Sequence, residues 1–267
     1  MTLIDGYLTG NRNLRGEADA GEGRRSDAFA TLFDPTTFRH IERLGIGTGW
    51  RCWEVGAGGT SVVSWLAKRV GPTGRILATD TDISWQTSAA RTPVEVRVHD
   101  VGADAPPAGG FDLVHARLVL SGVPDQERAL ASMIRALRPG GRLLIEEADP
   151  ALQPLACPDE RGPAQELANR LRRAVLTQRG TDLAYGRGLP RLLRTAGLRQ
   201  VEADAYFPLT SPACTALETA MIQQSRTALT AAGAATDDDI TDHLANIAAE
   251  PMDLATAPLI SAWGRKG

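Results

Sequence analysis

The sequence predicts an α/β fold, a doubly wound seven-stranded sheet with helical cap insertions, and three observations carry that reading. Between about residues 51 and 149, short apolar runs alternate with amphipathic helical patterns, the mark of repeated βαβ units on a parallel sheet. A glycine-rich turn, Gly56-Ala57-Gly58-Gly59, stands at the first strand-to-helix junction. Beyond Pro150 the pattern becomes mainly helical, interrupted by two further strand-like runs, Val201 to Phe207 and Leu259 to Trp263.

Arg51-Cys52-Trp53-Glu54-Val55 reads as the first strand and leads into the glycine turn. Val62, Trp65, Leu66 and Val70 then recur at helical spacing until Gly71-Pro72 stops the helix. Arg75 to Asp80, Val94 to Val98 and Phe111 to His115 read as the second, third and fourth strands. Leu130, Met133, Ile134 and Leu137 mark a helix ending at Pro139-Gly140-Gly141, where turn chemistry predicts a chain reversal into a buried fifth strand, Arg142 to Glu146. Stretches around 161–178 and 213–231 read as cap helices, with a third opening at Asp237-Asp238-Asp239 and carrying Ile240, Leu244 and Ile247. Acidic side chains suit a helix N-terminus, so this run reads as a helix start before a metal site. Leu189 to Ala196, ended by Gly197, reads as a core helix. The expected division is an N-terminal helical arm covering the site (1–48), a cofactor-binding core (49–149), cap insertions for substrate (150–188 and 210–255), and the remaining core helix and strands (189–209 and 256–267).

Composition narrows the function. The 29 Lys and Arg are scattered and outnumbered by 32 Asp and Glu, so the basic stripe of a nucleic-acid binder is missing and a small-molecule partner is expected. Cys52, Cys157 and Cys214 lack the paired spacing of a zinc site or a disulfide framework, which points to no metal and a reducing cytoplasm. No basic-then-apolar leader and no run of about 18 apolar residues is present, so neither secretion nor membrane spanning is expected. High Ala, Arg and Gly, with Lys68 and Lys266 the only lysines, suggests a GC-rich genome. A monomer or a homodimer is expected.

The candidate site begins at the glycine turn. Gly56, Gly58 and Gly59 let the chain bend tightly and let a ligand approach the backbone, a device shared by dinucleotide and S-adenosylmethionine sites. Glu54, just before the turn, suits a ligand carrying an ammonium group and would repel a pyrophosphate. Asp80, closing the second strand, is placed to accept hydrogen bonds from ribose hydroxyls of either ligand. His99-Asp100 closes the third strand, where Asp100 reads equally as an acceptor for an adenine amino group or as a plain loop residue.

Taken in order, Trp53-Glu54-Val55-Gly56-Ala57-Gly58-Gly59, Ala78-Thr79-Asp80-Thr81-Asp82, Phe111-Asp112-Leu113-Val114-His115-Ala116-Arg117 and Leu137-Arg138-Pro139-Gly140-Gly141 resemble the motif set of class I S-adenosylmethionine-dependent methyltransferases. The resemblance covers residues 50 to 149 closely, and the ending Ile260-Ser261-Ala262-Trp263-Gly264-Arg265 is similar to actinobacterial members of specialised metabolism. It implies a Rossmann-like core binding S-adenosyl-L-methionine. By that resemblance Glu54 and the backbone of Gly56, Ala57, Gly58 and Gly59 hold the methionine part, and Asp80 with Thr81 holds the ribose. His99, Asp100 and Val101 hold the adenine edge, and His115 faces the methyl-transfer site. Thr60 departs from the usual GxGxG pattern where the third glycine falls. Arg25 stands where related sequences carry an arginine before a Phe-Asp-Pro segment, here Phe33-Asp34-Pro35, and by the resemblance it pairs with the cofactor carboxylate.

A sulfonium already activates its methyl group, so the protein has chiefly to align the acceptor and exclude water, with a base useful only where the acceptor must lose a proton. His115 is the candidate base, and it reads equally as a histidine satisfied by backbone at a strand end. His40 and His243 read as helical or surface residues. Tyr7, Phe29, Trp85, Tyr185 and Tyr206 are candidate pocket residues, each also open to a plain packing role. Glu146, Glu147 and Asp149 follow the fifth strand, placed either to orient an acceptor or to cap a turn. The expected activity is methyl transfer to an O, N or C atom of a small molecule in natural-product, antibiotic-type biosynthesis. The alternative is a protein of this fold that binds the cofactor but performs a cyclisation or serves as a binding module. A nicotinamide-dependent dehydrogenase is disfavoured because no Tyr-x-x-x-Lys pair occurs.

Overall fold

A computed structural model describes residues 18–83, 92–152, 162–177, 182–249 and 254–267, with side chains from Arg25 onward. Tyr7, Trp85 and Cys157 lie outside the described residues. The described chain forms a seven-stranded sheet. Its central strand β1 (Arg51–Val55) pairs in parallel with β2 (Arg75–Asp80), placing Val55 opposite Thr79, and with β4 (Phe111–Arg117), placing Glu54 opposite His115. β3 (Val94–Val98) adds beyond β2, and β5 (Leu137–Ala148) beyond β4. β7 (Leu259–Arg265) lies antiparallel between β5 and β6 (Arg199–Tyr206), giving the order β3-β2-β1-β4-β5-β7-β6.

Strand side chains alternate between faces, and both faces here are covered. On one, Cys52, Ile76, Ala78, Leu113 and Leu144 pack with Ile41 and Leu44 from the end of α1 (Ala18–Arg43) and its following turn, and with Val62, Leu66 and Val70 of α2 (Thr60–Val70). On the other, Trp53, Val55, Leu77, Val114, Leu143 and Ile145 pack with Leu130 and Met133 of α3 (Gln126–Ala136) and with Leu189 and Leu193 of α5 (Tyr185–Thr195). Each such fully buried aliphatic side chain contributes roughly 1.5–3 kcal/mol, so β1 and β4 are held rigidly where their ends carry functional groups.

One expected element takes a different form. Pro139-Gly140-Gly141 is no chain reversal but a bulge inside β5: Phe111 pairs with Leu137 and Leu113 with Arg142, so residues 138–141 loop out opposite Asp112. Asp112 ties the bulge down by accepting from Arg138 Nε at 2.5 Å and from the Arg51 backbone N–H at 2.8 Å. A Cβ on Gly141 would lie 2.8 Å from the Phe111 carbonyl oxygen, which explains the glycine there.

Contacts divide the chain into two compact units, one of Asp34–Glu147, Tyr185–Ala205 and Leu259–Gly267, the other of Met1–Phe33, Ala148–Ala184 and Tyr206–Pro258. In the latter, α4 (Pro163–Thr177), α6 (Pro212–Ala231) and α7 (Asp237–Ala249) share a core of Leu171, Val175, Met221, Ile222, Leu229 and Ile240. Within it the buried Arg172 donates to Glu218, which also lies 3.2 Å from His243 Nε2, so the buried charges are paired. His243 is therefore helical and fully buried. The acidic run opens α7 as a capping box: Asp239 accepts from the Thr236 N–H and Thr236 Oγ1 accepts from the Asp239 N–H, at 2.9 and 3.0 Å. Among the described residues no helix is long and apolar enough to cross a membrane.

Candidate functional site

The carboxyl ends of β1, β2 and β3 bring together most of the expected site residues. β1 ends in Glu54-Val55 and turns at Gly56, whose φ of +60° is left-handed. A Cβ there would also meet Val119 Cγ2 at 2.4 Å, so only glycine fits. Ala57 N donates to Thr79 O at 2.9 Å, tying the turn to β2. Gly59 is the N-cap of α2, extended at φ −163°, and the space a Cβ would occupy has no neighbouring atom within 4 Å. Thr60 is the first residue of α2, where helical backbone accepts a Cβ freely, so the departure from the glycine pattern carries no strain. Gly59 offers no side-chain cap to α2, and the helix's first turn holds no acidic residue, so among the described residues an electropositive helix end stands beside the turn.

Asp80 ends β2 one residue beyond the Val55–Thr79 pair and accepts from the Asp82 N–H at 3.1 Å and from the Thr81 hydroxyl at 3.4 Å. After β3, His99 is buried edge-on against Trp53 and its Nε2 meets Ala105 O at 3.0 Å. Asp100 is exposed and folds the following turn, accepting from the Gly102 N–H at 2.8 Å, while Val101 is buried.

Glu54 and His115 form a pair that spacing alone does not reveal. Being directly opposite on neighbouring strands, they share a face, and Glu54 Oε2 lies 2.7 Å from His115 Nδ1. The other ring nitrogen, Nε2, lies 3.3 Å from Glu146 Oε2 on β5. Glu146 accepts in addition from Thr37 Oγ1 at 2.5 Å and Ser261 Oγ at 2.6 Å. His40 faces Glu146 at 3.5 Å through Nδ1 and Asp204 on β6 at 2.9 Å through Nε2. A polar string thus crosses β1, β4, β5, β7 and β6 on the face covered by α1.

Burial alone would lower the His115 pKa, but the Glu54 and Glu146 carboxylates raise it from its ordinary 6.5 to about 9. Burial likewise opposes the charge of Glu146, and the His115 and His40 donors overcome it, holding its carboxyl far below the usual range. His115 has no exposed surface, whereas Glu54 keeps 5% side-chain exposure, and Glu54 Oε1 has no hydrogen-bond partner among the described residues. Glu54 is thus the end of the string open to a ligand. No group of three or more His, Cys, Asp or Glu among the described residues is placed to hold a metal ion.

The neighbouring residue on β5, Glu147, points to the opposite face and fixes the turn after β4. Its Oε1 accepts from the backbone N–H groups of Val119, Leu120 and Ser121 at 3.0, 2.7 and 3.4 Å, and Oε2 accepts from Ser121 Oγ at 2.8 Å. Burial raises its carboxyl to about 7 despite these donors. Val119, which this turn presents, is the side chain that leaves no room for a Cβ on Gly56. Glu147→Leu orphans several buried donors and is expected to lower unfolding free energy by about 3 kcal/mol, whereas the neutral isostere Glu147→Gln costs less than about 1 kcal/mol; urea denaturation of both measures it.

Arg25 belongs to the other unit and donates to Gln224 of α6 at 3.3 Å. Phe29 packs on Phe33 at 4.5 Å between ring centroids, and Phe33 meets Tyr206 edge-on at 6.1 Å, so two expected pocket residues share one aromatic cluster in that unit. Tyr185 opens α5 and packs on the core around Trp53. Thr37, His40, Ser261 and Asp204 were not foreseeable as partners. The faint signal for the first two is helical spacing, since Phe33, Thr37, His40, Ile41 and Leu44 mark one buried stripe of α1 and its C-terminal turn.

A family model described as a methyltransferase domain matches residues 26–203. Among curated proteins, the chain is 29% identical over 192 residues to an uncharacterised 37.1 kDa protein in transposon TN4556 of Streptomyces fradiae, covering 69% of this chain and 53% of that one. It is 34% identical over 115 residues to the ubiquinone/menaquinone biosynthesis C-methyltransferase UbiE of Pseudomonas fluorescens (strain SBW25), covering 40% of this chain and 45% of that one. The chain spans about half the length of the curated relatives it matches. Among solved structures it is similar to Haemonchus contortus phosphoethanolamine N-methyltransferase 2 in complex with S-adenosyl-L-methionine, with a TM-score of 0.59 and 15% identity over 100% of this chain and 60% of that one. It is also similar to the YcgJ protein of Bacillus subtilis, with a TM-score of 0.53 and 14% identity over 85% of this chain and 96% of that one. At these identities the structural likeness speaks for the fold.

Proposed function

The chain belongs to the methyltransferase-domain family of class I, S-adenosylmethionine-dependent enzymes, and from that premise we propose that it transfers a methyl group from S-adenosyl-L-methionine to a small-molecule acceptor. The observation that carries the reading is Glu54, a carboxylate buried at the end of β1 whose Oε1 has no hydrogen-bond partner among the described residues, beside a turn that only glycine can make. An α-amino acid end fits this arrangement on both sides: the ammonium suits Glu54, and the carboxylate suits the uncapped N-terminus of α2. Asp80 with Thr81 would hold the ribose, and the His99–Val101 segment the adenine edge.

The bound group supplies an activated methyl on sulfonium, so this chain's residues have mainly to orient and to exclude water. His115 is not placed to act as a base, because both its nitrogens face carboxylates and it has no exposed surface. The reading therefore needs no protein base at that position, which suits acceptors that are nucleophilic without losing a proton first. The finer assignment, methylation in the biosynthesis of a specialised metabolite such as an antibiotic, rests on the resemblance of Ile260-Ser261-Ala262-Trp263-Gly264-Arg265 to actinobacterial members of specialised metabolism.

Mass spectrometry of reactions with a panel of amine, phenol and indole acceptors tests the proposal. The expected result is stoichiometric S-adenosylhomocysteine and a product 14 mass units heavier than its acceptor, the difference of one CH₂ (about 14 Da), with turnover on the order of the 1–10³ s⁻¹ usual for enzymes. Tight cofactor binding with no turnover on any acceptor class would count against it.

A further inference from the structure

We propose that His115 is a positioning residue of the ligand site, locking Glu54 by its Oε2 so that Oε1 is left to receive the ammonium group of the ligand's amino-acid end. The inference rests on the reading that the β1 turn holds S-adenosylmethionine, and it adds how the site comes to select a cationic amino group.

A glutamate side chain has three rotatable bonds, and a free carboxylate at a strand end samples several rotamers. Here the cross-strand neighbour directly opposite, His115, holds Oε2 at 2.7 Å, and that neighbour is itself held from the far side by Glu146 at 3.3 Å. Glu146 in turn cannot swing away, because Thr37 from α1 and Ser261 from β7 donate to its two oxygens. The string is anchored at its outer end by His40 and Asp204, the latter with its side chain 37% exposed.

An imidazole that bonds to two carboxylates donates from both nitrogens, which only the protonated ring can do. The buried group Glu54–His115–Glu146 then carries two negative charges against one positive. A ligand ammonium beside Glu54 brings the enclosed charge to zero, whereas a ligand without it leaves an uncompensated carboxylate in a poorly solvated place. Other charged groups facing the string among the described residues are His40 and Arg39 of α1, Arg117 of β4 with its partner Asp34, and Asp204 of β6. None of them lies between Glu54 and His115, so among the described residues the clamp on the Glu54 carboxylate is His115. A purely structural role for His115, cancelling charge inside the core, predicts no preference among ligands, and that difference is measurable.

The experiment is calorimetric titration of the whole chain with S-adenosylhomocysteine and with its desamino analogue, in which hydrogen replaces the α-amino group. For the natural chain the amine should strengthen binding by roughly tenfold to a hundredfold, the range of one charge-assisted hydrogen bond. His115→Gln should cut that preference to about threefold or less while leaving affinity for the desamino analogue within about threefold. Equal weakening of both ligands, or an unchanged preference, overturns the positioning role. A natural chain that binds neither ligand overturns the cofactor reading itself, a result distinct from the previous two.

Should His115→Gln fail to fold, Glu146→Gln provides a second arm. It removes a charge that stabilises the His115 imidazolium without touching Glu54. With that carboxylate gone the Glu54–His115 pair is already neutral, so the preference for S-adenosylhomocysteine over its desamino analogue should fall to about threefold or less near pH 7. An unchanged preference contradicts the proposal.

Discussion

Glu54→Leu is expected to lower the unfolding free energy by about 3 kcal/mol near pH 7 and to weaken S-adenosylhomocysteine binding by roughly tenfold to a hundredfold. The stability loss follows from stranding His115, which has no exposed surface and would keep only Glu146 as a partner. Breaking a buried ion pair from one side can cost more, about 3–5 kcal/mol, but the ring can shed its proton, and that limits the loss. The His115 pKa is raised from 6.5 to about 9 in the folded chain. Stability from a raised histidine pKa is fully present below the unfolded value and is lost as pH rises through the folded value. The difference between the natural chain and Glu54→Leu should therefore shrink between pH 6.5 and about 9, in denaturant titrations repeated across that window. A difference that stays flat with pH would mean the imidazolium is not what Glu54 stabilises.

Gly56→Val should be the most damaging single change at the turn, costing about 4 kcal/mol and abolishing measurable cofactor affinity. Two independent costs combine. A β-branched residue at φ +60° is a genuine backbone outlier, and its Cβ would lie 2.4 Å from Val119 Cγ2. Val119 cannot retreat cheaply, because Glu147 holds its N–H and the next two in place. Gly59→Ala provides the contrast: the backbone there is extended and nothing lies within 4 Å, so a change within about 1 kcal/mol is expected. Comparable losses at both glycines in urea denaturation would refute the structural distinction between them.

Much of the fold was legible because it is written in local periodicity. Cys52, Glu54 and Leu113, His115 alternate against Trp53, Val55 and Val114, α2 stops at Gly71, and α7 opens on its acidic run. Turn chemistry misled at Pro139-Gly140-Gly141, because the same residues that reverse a chain also build a bulge, and the choice was made by Asp112 on another strand. The candidate site was legible to the extent that it is contiguous: Glu54, the glycines, Asp80 and the residues after β3. The string behind Glu54 was not, since its members are brought together over 61 residues from Glu54 to His115, 31 from there to Glu146 and 164 between His40 and Asp204. Only strand register and the α1 packing face reveal that His115, which reads from sequence equally as a base or as a histidine satisfied by backbone, is enclosed between two carboxylates.

That the turn after β1 holds the cofactor is tested most directly by amide chemical-shift mapping of the isotope-labelled chain during titration with S-adenosylhomocysteine. Saturable shifts are predicted at Gly56, Ala57, Gly58, Thr81 and Val101, with little change in α6 and α7. Shifts concentrated in those helices, with the β1 turn silent at saturation, would contradict the assignment.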